Sequence, residues 1–122
     1  MNVQRFVIPV TTDGSQVATE YSPNITGKIH SIRYVKGDFT NGVDFTITAE
    51  GTGENIWTEA DVNASKTVYP RAPTHDLAGA PGLYAASGQA VTDKIALFND
   101  RVKIAIAQGG ALKTGAFHIT TE

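Results

Sequence analysis

The stretch VDFTITAE, from Val43 to Glu50, decides the fold class of this chain of 122 residues. Valine, phenylalanine, isoleucine and alanine alternate in it with aspartate, threonine, threonine and glutamate. Successive side chains of a β-strand point to opposite faces of a sheet, so this period of two predicts a strand with one buried face. The glycines of Gly51-Thr52-Gly53 follow directly and predict a turn.

The same alternation recurs along most of the chain. Further strands are predicted at residues 5–10, 17–21, 25–35, 56–59, 66–69, 94–98, 102–106 and 117–120. Turn residues separate them roughly every ten residues, which is typical of an antiparallel sandwich or barrel. No segment has a sustained helix period, although Ala60–Ser65 and Leu83–Ser87 could each form one helical turn. The sequence therefore predicts an all-β fold, an antiparallel β-sandwich or jelly-roll-like barrel, as a single domain over residues 1–122.

The predicted strand over Ile25–Val35 contains a change of phase. Ile25 and Ile29 share one parity, whereas Ile32 and Tyr34 share the other. Because a slip of one residue moves side chains to the opposite face, the simplest explanation is a β-bulge near His30-Ser31.

Composition argues against several classes of protein. The formal net charge is -2 and charged residues make up 18% of the chain, whereas a nucleic-acid-binding surface should be clearly basic. There is no cysteine, which excludes disulfides and a cysteine nucleophile. The amino terminus has the pattern of a strand, not of a signal peptide, and no apolar run approaches the roughly 18 residues of a membrane span. We therefore expect synthesis in the cytoplasm and no nucleic-acid or membrane partner.

The residues that could carry chemistry are dispersed. His30, His75 and His118 lie in different parts of the chain, without the spacing of a metal site. No serine lies in a GxSxG motif, and the Gly-rich turns lack the residues of a phosphate loop. Asp100-Arg101 has the pattern of a local ion pair in a turn. The sequence predicts that the protein is not an enzyme, with no catalytic, metal or cofactor-binding residues and no cofactor.

One segment departs from the strand pattern, the stretch YPRAPTHDLAGAPGLYAASGQ from Tyr69 to Gln89, which we call the arm. It contains three prolines, three glycines and two charges, a composition that suits neither a regular strand nor a long helix. Because it is apolar and nearly uncharged, we interpret it as a long ordered loop that covers a neighbour or the edge of its own sandwich. The candidate interface residues are Arg71, Pro73, His75, Asp76, Leu77, Leu83 and Tyr84.

Two of these residues have specific expected roles. The guanidinium of Arg71 should bind a carboxylate of a neighbouring chain or stay solvated, and the sequence leaves both alternatives open. Tyr84 is the expected aromatic anchor of the interface, whereas Trp57 is expected in the core or at a sheet edge.

The carboxy-terminal half carries a resemblance to a known group of proteins. The segments PRAPTHDLAGAPGLYAASGQAV, residues 70–91, and KIALFNDRVKIAIAQGGALKTGAFHI, residues 94–119, resemble small proteins encoded among the virion structural genes of tailed phages and prophages. Residues 25–70 resemble them more loosely. The resemblance implies a head-associated decoration or cement protein, a class in which β-sandwiches or jelly rolls carry loops or arms that bridge capsomers.

The expected function is therefore that of a phage virion structural protein, a capsid decoration protein that stabilises the head lattice. Its expected partners are the major capsid protein or another virion protein and further copies of itself, as a dimer or trimer. Two alternatives stay open at this point, a neck or tail-associated virion protein and a β-sandwich carbohydrate-binding module. The latter requires Trp57 and a tyrosine together on one exposed face.

Overall fold

The computed structural model describes residues 3–74, 78 and 91–122, which form ten β-strands. The strands are β1 (Gln4–Thr11), β2 (Ala18–Tyr21), β3 (Ile25–Val35), β4 (Val43–Ala49), β5 (Asn55–Val62), β6 (Lys66–Val68), β7 (Arg71–Pro73), β8 (Thr92–Asp100), β9 (Val102–Ala107) and β10 (Thr114–Thr121). The described residues contain no helix, so the all-β prediction is confirmed.

The strands pair into two antiparallel sheets. The larger has the order β1-β10-β3-β8, with β7 paired to β8 and β6 paired to β3, and the smaller has the order β2-β9-β4-β5. Apart from the short strands β6 and β7, eight strands remain. Counted along the chain, the first, eighth, third and sixth form one sheet, and the second, seventh, fourth and fifth form the other. This order is that of a jelly roll, so the expected sandwich is confirmed and its topology specified.

The core lies between the sheets and follows the predicted alternation. In β4, the four apolar side chains of VDFTITAE are at most 2% exposed. Ile104 of β9 pairs with Ile47 of β4, and both point into the core. The period of two in the sequence is therefore the alternation between the core and the solvent face of each sheet.

Aromatic rings fill the centre of the core. Tyr34 and Phe117 come from the larger sheet, and Phe45 and Trp57 come from the smaller one. The ring of Phe45 lies 4.5 Å from that of Trp57 and 5.3 Å from that of Phe117, measured between centroids. Trp57 is 8% exposed, which confirms its expected place in the core. Phe39, from the loop after β3, stacks on Tyr34 and closes one end of the cluster.

The predicted bulge in β3 is present. Thr120 pairs with Ser31 and Thr121 pairs with Ile29, so His30 is the extra residue opposite β10. Ile29 and Ile32 differ in parity, yet both are buried, because the extra residue lets the side chains on either side of it face the core.

A second bulge lies where the sequence allows a helical turn. Residues 60–62 belong to β5, so the single helical turn that Ala60–Ser65 could form is not formed by them. Val62 pairs with Val43 and Glu59 with Phe45, which leaves two residues of β5 opposite Asp44 alone. Asp61 adopts a φ of 58°, and its N–H donates to Oδ1 of Asp44 at 2.9 Å. Aspartate tolerates this left-handed conformation better than most residues.

The expected local ion pair of Asp100-Arg101 is also wrong. The guanidinium of Arg101 binds Glu50 instead, with Nε 2.7 Å from Oε1 and a second bond to Oε2. The same group lies 4.2 Å from the ring centroid of Tyr21. Asp100 Oδ1 accepts the backbone N–H groups of Gly51 and Arg101, at 2.8 Å each. These contacts join the end of β4, the start of β9 and the edge strand β2.

Candidate interaction surface at the root of the arm

The arm begins as a two-stranded ribbon. Arg71, Ala72 and Pro73 of β7 pair with Lys94, Asp93 and Thr92 of β8. Beyond this ladder, the N–H of Thr74 donates to the carbonyl of Val91 at 2.7 Å. The ribbon, residues 71–74 with 91–94, therefore holds the two ends of the segment 75–90 side by side. Its first residues form a strand, where the sequence predicted only loop.

Pro73 fits into this ribbon because of its position in the ladder. In an antiparallel pair, hydrogen-bonded residue pairs alternate with pairs that make no bond. Thr74 and Val91 form a hydrogen-bonded pair, so Pro73 and Thr92 form a pair that needs no donor. A proline without an N–H is tolerated at such a site.

Arg71 anchors the ribbon to the larger sheet. Its guanidinium nitrogen Nη1 donates to the carbonyl of Pro70 at 2.7 Å and to that of His30 at 3.1 Å. His30 is the bulged residue of β3, and its ring meets the ring of Tyr69 edge-on at 5.7 Å. The partners of Arg71 in the structure are thus backbone carbonyls of its own chain, and a contact to a neighbouring carboxylate stays a prediction.

The structure places Arg71 and Pro73 of the candidate interface residues. His75, Asp76, Leu77, Leu83 and Tyr84 lie outside the described residues, as does the helical turn expected over Leu83–Ser87. The interface assignment of all seven candidate residues stays a prediction.

The two described histidines lie on neighbouring strands of the larger sheet. His30 lies at the ribbon, whereas His118 lies in β10 between Val7 of β1 and Arg33 of β3. Within residues 3–74, 78 and 91–122, no group of His, Asp and Glu side chains could hold a metal ion, and no pocket is enclosed. The described part of the chain also has no helix with the length and apolar character to cross a membrane.

One exposed residue was missed by sequence reasoning. Phe98 is 85% exposed, whereas Ile95 and Leu97 of the same strand are buried. The run IALF is apolar at every position, so its alternation does not show which side chains face the core. The one available signal is the charge of Lys94, which shares the parity of Phe98 and should face solvent.

The fold defines this chain as a jelly-roll β-sandwich with a ribbon at its margin. Comparisons with protein-family models, curated proteins and solved structures give no match. The fold and the ribbon are therefore the structural observations from which a function can be proposed.

Proposed function

We propose that this protein is a structural component of a tailed-phage virion, a decoration or cement protein of the head. It binds the major capsid protein or another virion protein and stabilises the head lattice. The observation that carries this proposal is the ribbon. The described ends of the arm and of β8, residues 71–74 and 91–94, pair there as two strands, which are held to β3 through Arg71.

The ribbon fits a contact made outside the sandwich. Fixing both ends of a loop lowers the conformational entropy that is lost when it binds a partner. A decoration protein needs no reactive centre, because many weak contacts in symmetric copies add up to firm attachment. The jelly roll is also a common architecture of viral capsid domains, which supports the proposal by analogy of fold.

The direct test removes the segment and keeps the ribbon. In the shortened variant, residues 75–90 are replaced by Asn-Gly, a dipeptide that closes two-residue hairpins. Thr74 and Val91 are already hydrogen-bonded, so we expect the variant to fold with the circular dichroism spectrum of the parent. We expect it to lose binding to purified phage heads that lack the protein, measured by co-sedimentation.

A matched control alters an exposed loop elsewhere. Leu112 lies between β9 and β10 and is largely exposed, so Leu112→Ser should leave both folding and head binding unchanged. If the folded, shortened variant binds heads as well as the parent, the segment is not the attachment site.

The alternative functions differ from the decoration role in measurable ways. A neck or tail protein should occur as a single ring on each particle, whereas a decoration protein should cover the head, so the copy number in a cryo-EM map separates the two. A carbohydrate-binding module needs an exposed aromatic platform. Trp57 does not provide it, because its ring is buried against Phe45. A glycan array tests this remaining alternative.

A further inference from the structure

The loop between β3 and β4, residues 36–42, contains the dipeptide Asn41-Gly42. Asn41 is exposed, and its side chain makes no hydrogen bond to a described residue. The backbone nitrogen that follows an asparagine can attack the side-chain amide carbon, and glycine hinders this attack least because it has no Cβ atom. The loop therefore carries a dipeptide that is open to spontaneous chemical change.

The nitrogen that would attack is held by a hydrogen bond. The N–H of Gly42 donates to Oδ1 of Asn63, in the turn between β5 and β6, at 2.7 Å. Attack on Asn41 requires this nitrogen to lose its proton and to turn towards the side-chain carbon. The hydrogen bond must break first, so its free energy adds to the barrier of the reaction.

We propose that Asn41 is a site of deamidation and that the side-chain oxygen of Asn63 keeps the reaction slow. In the reaction, the nitrogen of Gly42 bonds to Cγ of Asn41 while the bond from Cγ to the side-chain nitrogen breaks. The proton of the N–H group leaves with that nitrogen as ammonia, and a cyclic succinimide remains. Water then opens the ring at either carbonyl and gives aspartate or isoaspartate. No atom is oxidised or reduced.

The two products differ in their effect on the loop. Aspartate adds a negative charge at an exposed position. Isoaspartate leads the main chain through the former side chain and so adds a methylene group to the backbone. Thr40 is fixed on one side of this insertion, since its N–H donates to the carbonyl of Gly109 at 3.2 Å, and Val43 begins β4 on the other. The longer backbone must therefore displace one of these two residues.

The preceding residue connects this change to the core. Phe39 is 1% exposed and stacks on Tyr34, and its N–H donates to the carbonyl of Lys36 at 3.0 Å. A displacement of Thr40 also shifts Phe39, and a close-packed core tolerates such shifts poorly. Isoaspartate at position 41 should therefore destabilise the fold, whereas aspartate should have little effect.

The first experiment compares deamidation rates in variants of the full chain. The wild type, Asn63→Ala and Asn63→Asp are incubated in mildly alkaline buffer, and the tryptic peptide of residues 37–66 is sequenced by mass spectrometry. We expect Asn63→Ala to raise the rate at Asn41 by about two- to tenfold, the factor that corresponds to one hydrogen bond. Asn63→Asp keeps an oxygen acceptor at the same place and should keep the slow rate.

A matched control removes the neighbouring hydrogen bond between the same two segments. The hydroxyl of Ser65 accepts the N–H of Lys36 at 2.9 Å, so Ser65→Ala loosens the loop and leaves the N–H of Gly42 bound. We expect this variant to deamidate at the wild-type rate. Asn41→Gln should remove the signal, because glutamine would have to close a larger ring. Circular dichroism confirms that all the variants fold.

The second experiment measures the effect of isoaspartate on stability. The products of aged Asn63→Ala protein are separated by ion exchange, and isoaspartate is identified by labelling with an isoaspartyl methyltransferase. We expect the isoaspartate form to unfold at a lower urea concentration than the unreacted variant. The control is the double variant Asn41→Asp with Asn63→Ala, which carries the charge without the added methylene group and should unfold with the unreacted variant.

An unchanged rate in Asn63→Ala overturns the proposal, as does a rate in Asn63→Asp as high as in Asn63→Ala. An equal acceleration by Ser65→Ala also overturns it, because general loosening of the loop would then set the rate. An isoaspartate form as stable as the unreacted variant contradicts the displacement of Phe39. These measurements use the purified protein alone, so they do not depend on the proposed function.

Discussion

The hydroxyl of Tyr34 is a polar group buried in the aromatic core. Tyr34 is fully buried among Phe39, Phe45 and Phe117, and its hydroxyl has no hydrogen-bond partner among the described residues. Burial raises the pKa of Tyr34 to about 12. An unsatisfied buried hydroxyl loses its hydration without gaining a bond in return. The ring therefore stabilises the core while its oxygen weakens it.

Replacing Tyr34 by phenylalanine should stabilise the protein. We expect Tyr34→Phe to raise the free energy of unfolding by about 0.5–1 kcal/mol at pH 7, measured by urea denaturation, because the ring stays and the unpaired hydroxyl goes. The raised pKa means that the folded state requires the neutral phenol. The contribution of the neutral Tyr34 phenol to wild-type stability is therefore fully present below the ordinary pKa of 10.0 and is lost as the pH rises towards 12.

The advantage of Tyr34→Phe should thus grow between pH 10 and pH 12. The control is Tyr69→Phe at an exposed ring, which should follow the wild type across this range. A Tyr34→Phe protein that is less stable than the wild type at pH 7 would indicate a hydrogen bond to this hydroxyl.

Gly37, in the turn after β3, occupies a position where the backbone conformation and the neighbouring atoms require a glycine. It has a φ of 56°, and a Cβ atom there would collide with the carbonyl oxygen of Thr114. We expect Gly37→Ala to lower the free energy of unfolding by about 2–4 kcal/mol, from left-handed strain and this overlap together. The matched control is Gly14→Ala, where a Cβ meets nothing within 4 Å and the change should stay within about 0.5 kcal/mol. Thermal melting of both variants provides the comparison, and equal effects would contradict the steric argument.

At the scale of elements, the strands that carry their own pattern could be predicted. β4 and β9 alternate strictly, and the phase change of β3 located the bulge at His30. Strand β7 could not be found, because Pro70 and Pro73 hide it and only its pairing with β8 makes it a strand. The bulge of β5 was also missed, because it depends on the register between β5 and β4, which the sequence of β5 alone does not show. The arm was located as a candidate site, but the anchoring of Arg71 to the carbonyl of His30 depends on a contact distant in sequence.

One ion pair connects the two sheets at the margin of the sandwich. Lys66 of β6 lies 2.7 Å from Glu59 of β5, and Trp57 Nε1 donates to the same carboxylate at 3.0 Å. The hydrogen bond from Lys66, with a smaller contribution from Trp57, lowers the pKa of Glu59 below its ordinary value of 4.5. A lowered pKa means that the folded state favours the carboxylate. The stabilisation is therefore present above pH 4.5 and lost as the pH falls through the lower folded value.

We expect Glu59→Gln to lower the free energy of unfolding by about 0.5 kcal/mol at pH 7, a small value because both partners are partly exposed. Its difference from the wild type should shrink as the pH falls below 4.5. Glu54→Gln, at an exposed carboxylate without a side-chain bond among the described residues, serves as the control. Urea denaturation at pH 7 and pH 3.5 gives both comparisons. A difference that is independent of pH would assign the effect of Glu59→Gln to packing.

At the scale of the whole molecule, the pairing of distant segments determines the architecture. Gln4 pairs with Thr121, and β10 lies between β1 and β3. Alternation and turns in the sequence predict that strands exist and how each one faces, but they do not determine which strands become neighbours. The class of sandwich was therefore predictable, whereas the jelly-roll order and the exposure of Phe98 required the structure.

The place of β10 in the larger sheet also sets the order of events during synthesis on the ribosome. Strand β1 is translated first, yet its only sheet partner among the described strands is β10, which leaves the exit tunnel last. Until β10 is available, β1 and β3 lack the strand that lies between them in the sheet, and their apolar side chains are not covered by a complete sandwich. Strands that pair over a long sequence distance fold slowly, and hydrophobic surface stays exposed until they have paired. The larger sheet can therefore close over β1 only after β10 has been synthesised.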